Sequence, residues 1–149
     1  MNKLIIHKAI PEDLAALTDL LEQLFSIEKD FVIDADKQQR GLTMMLEDPA
    51  SRCIMVAEED HTVIGMCTAQ LLISTAEGGK AALIEDMVVA ADHKGQGIGR
   101  LLMTAVEEWS LAQGARRLEL LADRNNTPAL KFYEALNWKS TELVCLHKK

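Results

Sequence analysis

The 149-residue chain is long enough for one domain with a single hydrophobic core. Hydrophobic residues make up 48% of it and charged residues 26%, a composition that excludes collagen-like, disordered and disulfide-stapled proteins. With 16 Lys and Arg against 23 Asp and Glu the net charge is −7, so nucleic acid is a poor candidate partner. No apolar run approaches the ~18 residues of a membrane span and the N-terminus lacks a signal-peptide pattern, so we expect a cytoplasmic protein with no membrane partner.

The first half of the chain predicts a strand, two helices and an antiparallel meander of strands. Leu4 to Lys8 has a weakly alternating strand pattern, and Pro11 with the acids that follow it begins a helix. Leucines three and four residues apart continue that helix to about Ser26, and a shorter helix is predicted from Gln38 to Glu47. Turn residues then separate three short apolar runs, which we expect to pair as strands: Cys53–Ala57, Val63–Thr68 and Ala82–Val89.

The second half predicts alternating helices and strands. A glycine-rich loop from Lys94 to Gly99 opens a helix for which Gly114 is the expected C′ residue. Leu118–Ala122 is the next predicted strand. Because a helix separates it from the strand that ends at Val89, we expect these two strands to be parallel and joined by a right-handed crossover.

A last helix and strand are predicted at the C-terminal end. Thr127 is the expected N-cap with Pro128 at N1, Asn137 ends the helix in the left-handed conformation, and Leu143–His147 is the final strand. The complete order is β-α-α-β-β-β-α-β-α-β. It indicates an α/β (α+β) fold of one domain over residues 3–149, with a central mixed, mostly antiparallel sheet flanked by helices.

Three cysteines, Cys53, Cys67 and Cys145, lie far apart among apolar neighbours. They have neither metal-ligand spacing nor an even number for pairing, so we expect buried structural thiols, with a nucleophilic role as the alternative. His7, His61, His93 and His147 are also scattered, and none belongs to a visible catalytic constellation. The sequence predicts no metal site.

The strongest chemical signal is the loop itself, Lys94-Gly95-Gln96-Gly97-Ile98-Gly99-Arg100, between a buried strand and an amphipathic helix. Unpaired amides at a helix start attract anions, and glycines let a phosphate approach them closely. A dinucleotide fingerprint would require glycine where Arg100 stands, and the Gly-Lys-Ser/Thr of a P-loop is absent. The alternative is a tight strand-to-helix turn without a ligand.

Three segments together resemble the GNAT superfamily of acetyl-CoA-dependent N-acetyltransferases. They are Glu85-Asp86-Met87-Val88-Val89, Lys94 to Gly99, and Asn126-Thr127-Pro128-Ala129-Leu130-Lys131-Phe132-Tyr133. The resemblance spans the whole chain in element order. In that family the loop begins with Arg or Gln, whereas this chain has Lys94, a conservative departure.

The resemblance implies a binding site for acetyl-CoA as co-substrate, without a metal. Main-chain groups of Met87, Val88 and Val89 would contact the pantetheine arm, and the loop would wrap the pyrophosphate. The loop residues implied are Lys94, Gly95, Gln96, Gly97, Ile98, Gly99 and Arg100. Asn126 matches an asparagine that contacts the coenzyme, and Tyr133 matches a tyrosine near the thioester sulfur.

Catalysis on an amine requires that the amine lose its proton before it attacks, so a base is expected. Glu85 lies in an apolar run on the strand before the loop, where burial would raise its pKa and suit it to this role. The alternative is an edge carboxylate paired with a cation. If strand pairing is regular, Asp86 points to the opposite face, and one of the two carboxylates is then solvated.

Tyr133 is the candidate acid, because its phenol could protonate the leaving thiolate. Helical spacing alone favours a core aromatic beside Phe132, a preference that the resemblance reverses, and Asn126 is equally a turn residue or alternative N-cap. Four acids between the first two helices border the region that forms the acceptor pocket in proteins resembling this chain: Glu28, Asp30, Asp34 and Asp36. They could attract a cationic amine, or they form a solvated loop.

The leading hypothesis is an N-acetyltransferase that transfers acetyl from acetyl-CoA to a primary amine of a small molecule or peptide by direct attack. The alternatives are a catalytically idle acyl-CoA-binding sensor or interaction domain, and an unrelated α/β ligand binder. The retained Glu85 and Tyr133 favour the enzyme, and the segment from Asn126 to Tyr133 disfavours the unrelated binder. A homodimer is common among proteins that this chain resembles.

Overall fold

The computed structural model describes residues 3–28 and 30–149. The chain divides into two compact units, one ending at Glu119 and the other running from Leu120 to Lys149. The first unit contains β1 (Leu4–Lys8), α1 (Leu14–Ile27), α2 (Ala35–Leu46), β2 (Arg52–Glu59), β3 (Thr62–Ser74), β4 (Gly79–Val89) and α3 (Ile98–Ala112). Short 3₁₀ turns, Pro11–Asp13 and Ala91–His93, precede α1 and α3. β5 (Ala115–Leu120) follows α3, and α4 (Thr127–Ala135) lies in the second unit.

The strands form one five-stranded sheet in the order β1-β2-β3-β4-β5. The pairs β1–β2, β2–β3 and β3–β4 are antiparallel, which confirms the predicted meander. The sheet is mixed, so its parallel pair is β4–β5, the two strands that α3 connects. The strands are longer than the apolar runs that predict them, because polar residues such as Gln70 and Lys80 extend the β3–β4 ladder.

Helices cover both faces of the sheet. On one face, leucines of α1 and α2 pack with Met66 of β3 in a cluster of buried residues: Leu17, Leu20, Leu21, Leu42, Ile54, Val56, Met66 and Val88. Gly65 faces the other way, because neighbouring strand residues alternate. A Cβ atom at Gly65 would lie 3.0 Å from Leu102 Cδ1 and 3.4 Å from Ile98 Cγ2, so α3 packs tightly on this second face.

Local side-chain chemistry fixes the helix ends, in two cases differently from the prediction. Asp34 accepts a hydrogen bond from the Lys37 amide at 3.2 Å, and this cap lets α2 begin at Ala35, ahead of Gln38. Gly114 follows the α3 C-cap with φ +95°, as predicted.

The end of α4 also follows the prediction, but its start does not. Asn137 takes the left-handed conformation with φ 71°, as expected. The N-cap is Asn126 and not Thr127, because the Asn126 side chain accepts from the Ala129 amide at 3.2 Å. Thr127 is instead the first residue of the helix.

The predicted final strand and the burial of the third thiol are wrong. Within the described chain, Leu143–His147 takes part in no strand pairing. Leu143, Val144 and Leu146 are exposed, and so is Cys145, whereas Cys53 and Cys67 are buried as expected. An apolar alternation favours a strand only when a neighbouring backbone supplies the ladder of hydrogen bonds, and the sequence does not specify that neighbour. None of the helices in residues 3–28 and 30–149 is long and apolar enough to cross a membrane.

Candidate active site

The glycine loop forms an open, positively polarised helix start. Gly97 is the N-cap of α3 with φ +81°, and Gly95 has φ +80°. A Cβ atom at either position would meet nothing within 4 Å, so the space in front of both glycines is open. Among residues 3–28 and 30–149 no side chain caps α3, and the first turn of α3 carries no acid, which leaves the first amides and the dipole available to an anion. These features fit the pyrophosphate of acetyl-CoA.

The loop side chains divide into exposed and anchoring ones. Lys94, Gln96 and Arg100 are exposed at the loop surface, where the two cations reinforce the helix dipole. Ile98 is only 2% exposed and packs toward β3, so it can serve a ligand only through its amide. It anchors the first turn of α3 to the sheet.

The strand that leads to the loop is held by the packing of Val88 in the core and by hydrogen bonds to β3. The Val88 side chain belongs to the core cluster with α1, whereas Met87 and Val89 are half-buried. Met66 and Gly65 of β3 pair with Val88 and Val89, and the Ala90 amide donates to the Ile64 carbonyl at 2.8 Å. The predicted role of Met87, Val88 and Val89 in contacting a pantetheine arm stays a prediction.

A β-bulge interrupts β4 just before this segment. Thr68 pairs with Glu85 and Met66 with Val88, so Asp86 and Met87 together oppose Cys67. Asp86 has φ 52°, in the left-handed region that residues other than glycine seldom adopt. Regular alternation is therefore absent, and the expected opposite orientation of Glu85 and Asp86, which assumed regular pairing, does not follow.

The bulge places the two neighbouring carboxylates in different environments. Glu85 is exposed, and its pKa is raised by partial burial. Burial, and then the negative charges of Glu85 and Glu28, raise the pKa of Asp86 from an ordinary 3.8 to about 7, against an opposing hydrogen bond from Thr68. No ion pair within 4.0 Å includes Glu85 among residues 3–28 and 30–149, so the alternative of a cation-paired carboxylate has no support there. Of the pair, Asp86 has the pKa suited to proton exchange near neutrality.

Thr68 is a member of this site that sequence reasoning missed. It is 2% exposed, and its hydroxyl donates a hydrogen bond to the Glu85 carbonyl at 3.1 Å. The Cys67 thiol points to the same carbonyl at 3.7 Å. A threonine in an apolar strand has no signature of its own in sequence, because its partner is created by the bulge.

The acidic segment between α1 and α2 has mixed roles. Asp34 caps α2, which is structural, and Asp30 and Asp36 are exposed, in agreement with a solvated loop. Glu28 is different: it is the C-cap of α1, and its charge acts on Asp86. One of the four acids is therefore electrostatically coupled to the candidate base.

In the second unit, Asn126 caps the short helix α4, and Tyr133 lies on it. The side-chain oxygen Oδ1 of Asn126 caps α4, which confirms the alternative that Asn126 is the N-cap. The side-chain nitrogen of Asn126 can then make a further contact. Tyr133 is half-buried, with ring centroids 5.3 Å from Phe132 and 6.5 Å from Trp138. The two aromatic neighbours hold the phenol ring edge-on, and its role as an acid stays a prediction.

The two buried cysteines, Cys53 and Cys67, are unsuited to nucleophilic chemistry. Burial, opposed by Lys8, raises the pKa of the Cys53 thiol to about 11. Burial also raises the pKa of Cys67, with Asp86 adding to the effect. Both therefore remain protonated thiols at neutral pH. No cluster of metal-ligating side chains occurs among the residues that the structure describes.

Residues 14–138 match the Acetyltransferase (GNAT) family. An aminoglycoside N(6')-acetyltransferase type 1 from Stenotrophomonas maltophilia is 26% identical over 142 residues, which are 93% of this chain and 88% of the relative. An aminoglycoside N-acetyltransferase, AAC(6')-Iy, solved in complex with CoA, has a TM-score of 0.85 at 20% identity, covering 100% of this chain and 96% of that chain. A transcriptional regulator from Bacillus halodurans C-125 has a TM-score of 0.85 at 24% identity, covering 98% and 100%. At these identities the solved structures share the fold with this chain.

Proposed function

This chain belongs to the Acetyltransferase (GNAT) family, and we propose that it transfers the acetyl group of acetyl-CoA to a primary amine by direct attack of the amine nitrogen. As a member of the family it is an acetyl-CoA-dependent N-acetyltransferase. The main support for this chemistry is Asp86. Its backbone is strained in the β4 bulge, and its half-buried carboxyl has a pKa of about 7. A carboxyl with this pKa can accept a proton at neutral pH.

A base is needed because the acceptor arrives protonated. An alkylamine of pKa ~10.4 requires about 4–5 kcal/mol to lose its proton near pH 7. A carboxylate of pKa about 7 takes that proton with more driving force than an ordinary aspartate of pKa 3.8. Glu85, the base favoured from sequence, is one residue away and exposed, so it becomes the second candidate.

The remaining roles are distributed over the loop and α4. Acetyl-CoA supplies an activated acetyl group as a thioester. The amides of Gly97 to Arg100, with Lys94, would hold its phosphates at the start of α3, and Asn126 would contribute its free amide nitrogen. The acceptor ammonium would first give a proton to Asp86 or Glu85, and the neutral nitrogen would then attack the thioester carbonyl. As the carbon–sulfur bond breaks, the Tyr133 phenol would give a proton to sulfur, and the second proton lost by the nitrogen would restore the phenol.

The acceptor we propose is a cationic amine of a small molecule or peptide. The net charge of −7 and the negative groups Glu28, Glu85 and Asp86 support a positively charged acceptor. The relative from Stenotrophomonas is named for aminoglycosides, a class of cationic amines that belongs in any screen. A homodimer and a cytoplasmic location stay predictions from the sequence.

The test is a screen of amine acceptors followed by pH profiles. Free-thiol release from acetyl-CoA is measured with monoamines, polyamines, aminoglycosides and lysyl peptides, and the best acceptor is carried forward. We expect kcat/KM of the wild type to rise through an ionisation near pH 7 that Asp86→Asn removes. Glu85→Gln should keep this ionisation but move it to lower pH, because the Glu85 charge raises the pKa of Asp86. If Glu85→Gln alone removes it, Glu85 is the base.

Two other outcomes contradict the proposal itself. Acetyl-CoA binding by calorimetry without acetylation of any amine would indicate the idle sensor. Absence of acetyl-CoA binding at millimolar concentration would overturn the interpretation of the loop.

A further inference from the structure

We propose that Thr68 is a positioning residue for the candidate base: its buried hydroxyl closes the β4 bulge on the Glu85 carbonyl and holds the adjacent Asp86 carboxylate in its reactive position. The inference rests on the proposed function, because it concerns the base of that reaction. It adds a residue that contacts neither acceptor nor acetyl-CoA and acts only through Asp86.

The Thr68 hydroxyl lies where the bulge interrupts the pairing of β3 and β4. Thr68 still pairs with Glu85, but regular pairing stops at the next residue, because Asp86 and Met87 together oppose Cys67. The Thr68 hydroxyl donates to the Glu85 carbonyl at 3.1 Å, with the Cys67 thiol at 3.7 Å as a weaker second donor. A buried carbonyl without a donor costs about 1–3 kcal/mol, so the hydroxyl stabilises the bulged conformation that gives Asp86 its φ of 52°.

The Thr68 hydroxyl has a single proton to donate. The Thr68 hydroxyl donates to the Glu85 carbonyl and also favours the ionised form of the Asp86 carboxyl, but its one proton can serve only one acceptor at a time. The charge-assisted bond to the ionised carboxylate is the stronger one, so ionisation of Asp86 draws the proton toward it. When Asp86 takes a proton from the acceptor, the hydroxyl is released to the Glu85 carbonyl.

The electrostatic surroundings make this donor important. The groups that face Asp86 are acidic: Glu85 on its own strand, Glu28 at the end of α1, and the Cys67 thiol on β3. Thr68 is the neutral donor that opposes them by stabilising the charged form. Without it the carboxyl would hold its proton to higher pH and would be a less available base near neutrality.

The test compares donor-free and donor-keeping variants. Thr68→Val is nearly isosteric, Thr68→Ala is the smaller alternative should valine disturb folding, and Thr68→Ser keeps the hydroxyl. Thr18→Val is the matched control, since the Thr18 hydroxyl also donates to a backbone carbonyl, that of Leu14 at 2.8 Å, but lies on α1. Circular dichroism checks the fold of each variant.

We expect Thr68→Val and Thr68→Ala to lower kcat about fivefold near pH 7 and to raise the pKa seen in the pH profile by about one unit, with acetyl-CoA affinity unchanged. Thr68→Ser should restore kcat and the profile, and Thr18→Val should change neither. Equal losses in the serine and valine variants, or a lower kcat with an unmoved profile, would reduce Thr68 to a structural residue and overturn the inference.

A second measurement separates this inference from the proposed function. The carboxyl ionisation of Asp86 is followed by carbon-13 NMR in the wild type and in Thr68→Val, without any substrate. We expect a higher pKa in the variant even if no acceptor has been found. An unchanged Asp86 pKa overturns the role of Thr68, whether or not the protein proves to be an acetyltransferase.

Discussion

Asp86 combines two unfavourable features that a stable strand would avoid. Its φ of 52° is a left-handed conformation that costs a residue with a side chain about 1–2 kcal/mol. Its carboxyl is half-buried beside two other acids, which raises its pKa. Strain and a raised pKa at one residue oppose stability, and both are common at catalytic groups, which supports Asp86 as the proposed base.

The first prediction is that Asp86→Asn stabilises the fold increasingly as the pH rises. The Asp86 carboxyl ionises near 3.8 when unfolded and near 7 when folded, so between these values the folded state binds more protons. Raising the pH through this window therefore favours unfolding of the wild type, by as much as about 4 kcal/mol once the pH exceeds about 7. Asparagine tolerates the same φ and has no charge to bury.

The measurement is urea unfolding of both proteins between about pH 4 and pH 8. The difference in the free energy of unfolding should be small at the acid end and largest above neutrality. Glu85→Gln is the control, and because Glu85 is exposed its effect should be smaller. Wild-type and Asp86→Asn curves that stay parallel over the whole range would show that Asp86 is not perturbed.

The second prediction concerns Tyr133. Tyr133→Phe keeps the ring contacts with Phe132 and Trp138, so α4 and acetyl-CoA affinity should be retained. Turnover should fall by about 10–100-fold, because the hydroxyl that would protonate the leaving sulfur is lost. Steady-state kinetics and calorimetry distinguish the cases: an unchanged kcat makes Tyr133 a packing residue, and a loss of affinity alone makes it a binding residue.

Among the elements, the turn into α3 has both the openness and the polarity for binding, and it provides the third prediction. Gly97→Glu should raise the acetyl-CoA Kd at least about tenfold, because a side chain and a negative charge would enter the open space before the first amides. Gly114→Glu is the matched control. Gly114 also has a positive φ, +95°, and nothing within 4 Å of a Cβ atom, but it lies at the other end of α3.

Both variants should lose a similar free energy of unfolding, about 1–2 kcal/mol, because both force a side chain into the left-handed region. Only Gly97→Glu should weaken binding in calorimetry. Equal affinities for acetyl-CoA in the two variants would mean that the loop is a structural turn without a ligand.

The elements show how far local sequence chemistry predicts this fold. The helix ends at Gly114 and Asn137 follow from residues that adopt positive φ, and the meander follows from apolar runs between turns. The bulge at Asp86 does not follow, because an extra residue in one strand is defined by register against its neighbour and leaves no mark in the strand's own sequence. The wrong final strand at Leu143–His147 has the same origin, a pairing that local pattern cannot specify.

The candidate site can be predicted from the sequence only where it does not depend on strand pairing. The glycine loop is visible in sequence because its conformation requires glycine at Gly95 and Gly97. Glu85 is visible as a charge in an apolar run, but the environments of Glu85 and Asp86 depend on the bulge. The role of Thr68 cannot be predicted from the sequence either, because its hydroxyl meets the Glu85 carbonyl only when β3 and β4 are paired.

For the molecule as a whole, the charge distribution separates two requirements that conflict. The net charge of −7 favours a cationic acceptor and opposes a polyanion such as acetyl-CoA. The amides at the start of α3, with exposed Lys94 and Arg100, provide a local positive region within that negative field. The two substrates should therefore respond differently to salt.

The fourth prediction is that salt weakens the use of the acceptor in proportion to the acceptor's charge. Raising the ionic strength from about 0.01 M to about 0.15 M shortens the screening length from about 30 Å to about 8 Å, so long-range attraction of the acceptor by the acidic surface is largely lost. We expect kcat/KM for a triamine to fall several-fold and that for a monoamine much less. For acetyl-CoA the change should be smaller than for the triamine, because salt screens both the repulsion by the net charge and the attraction by the loop.

Initial rates at two salt concentrations measure these salt dependences, with an uncharged osmolyte as the control for general solvent effects. Equal slopes for the monoamine and the triamine would show that the net charge of −7 has no part in acceptor capture, and recognition would then depend on short-range contacts alone.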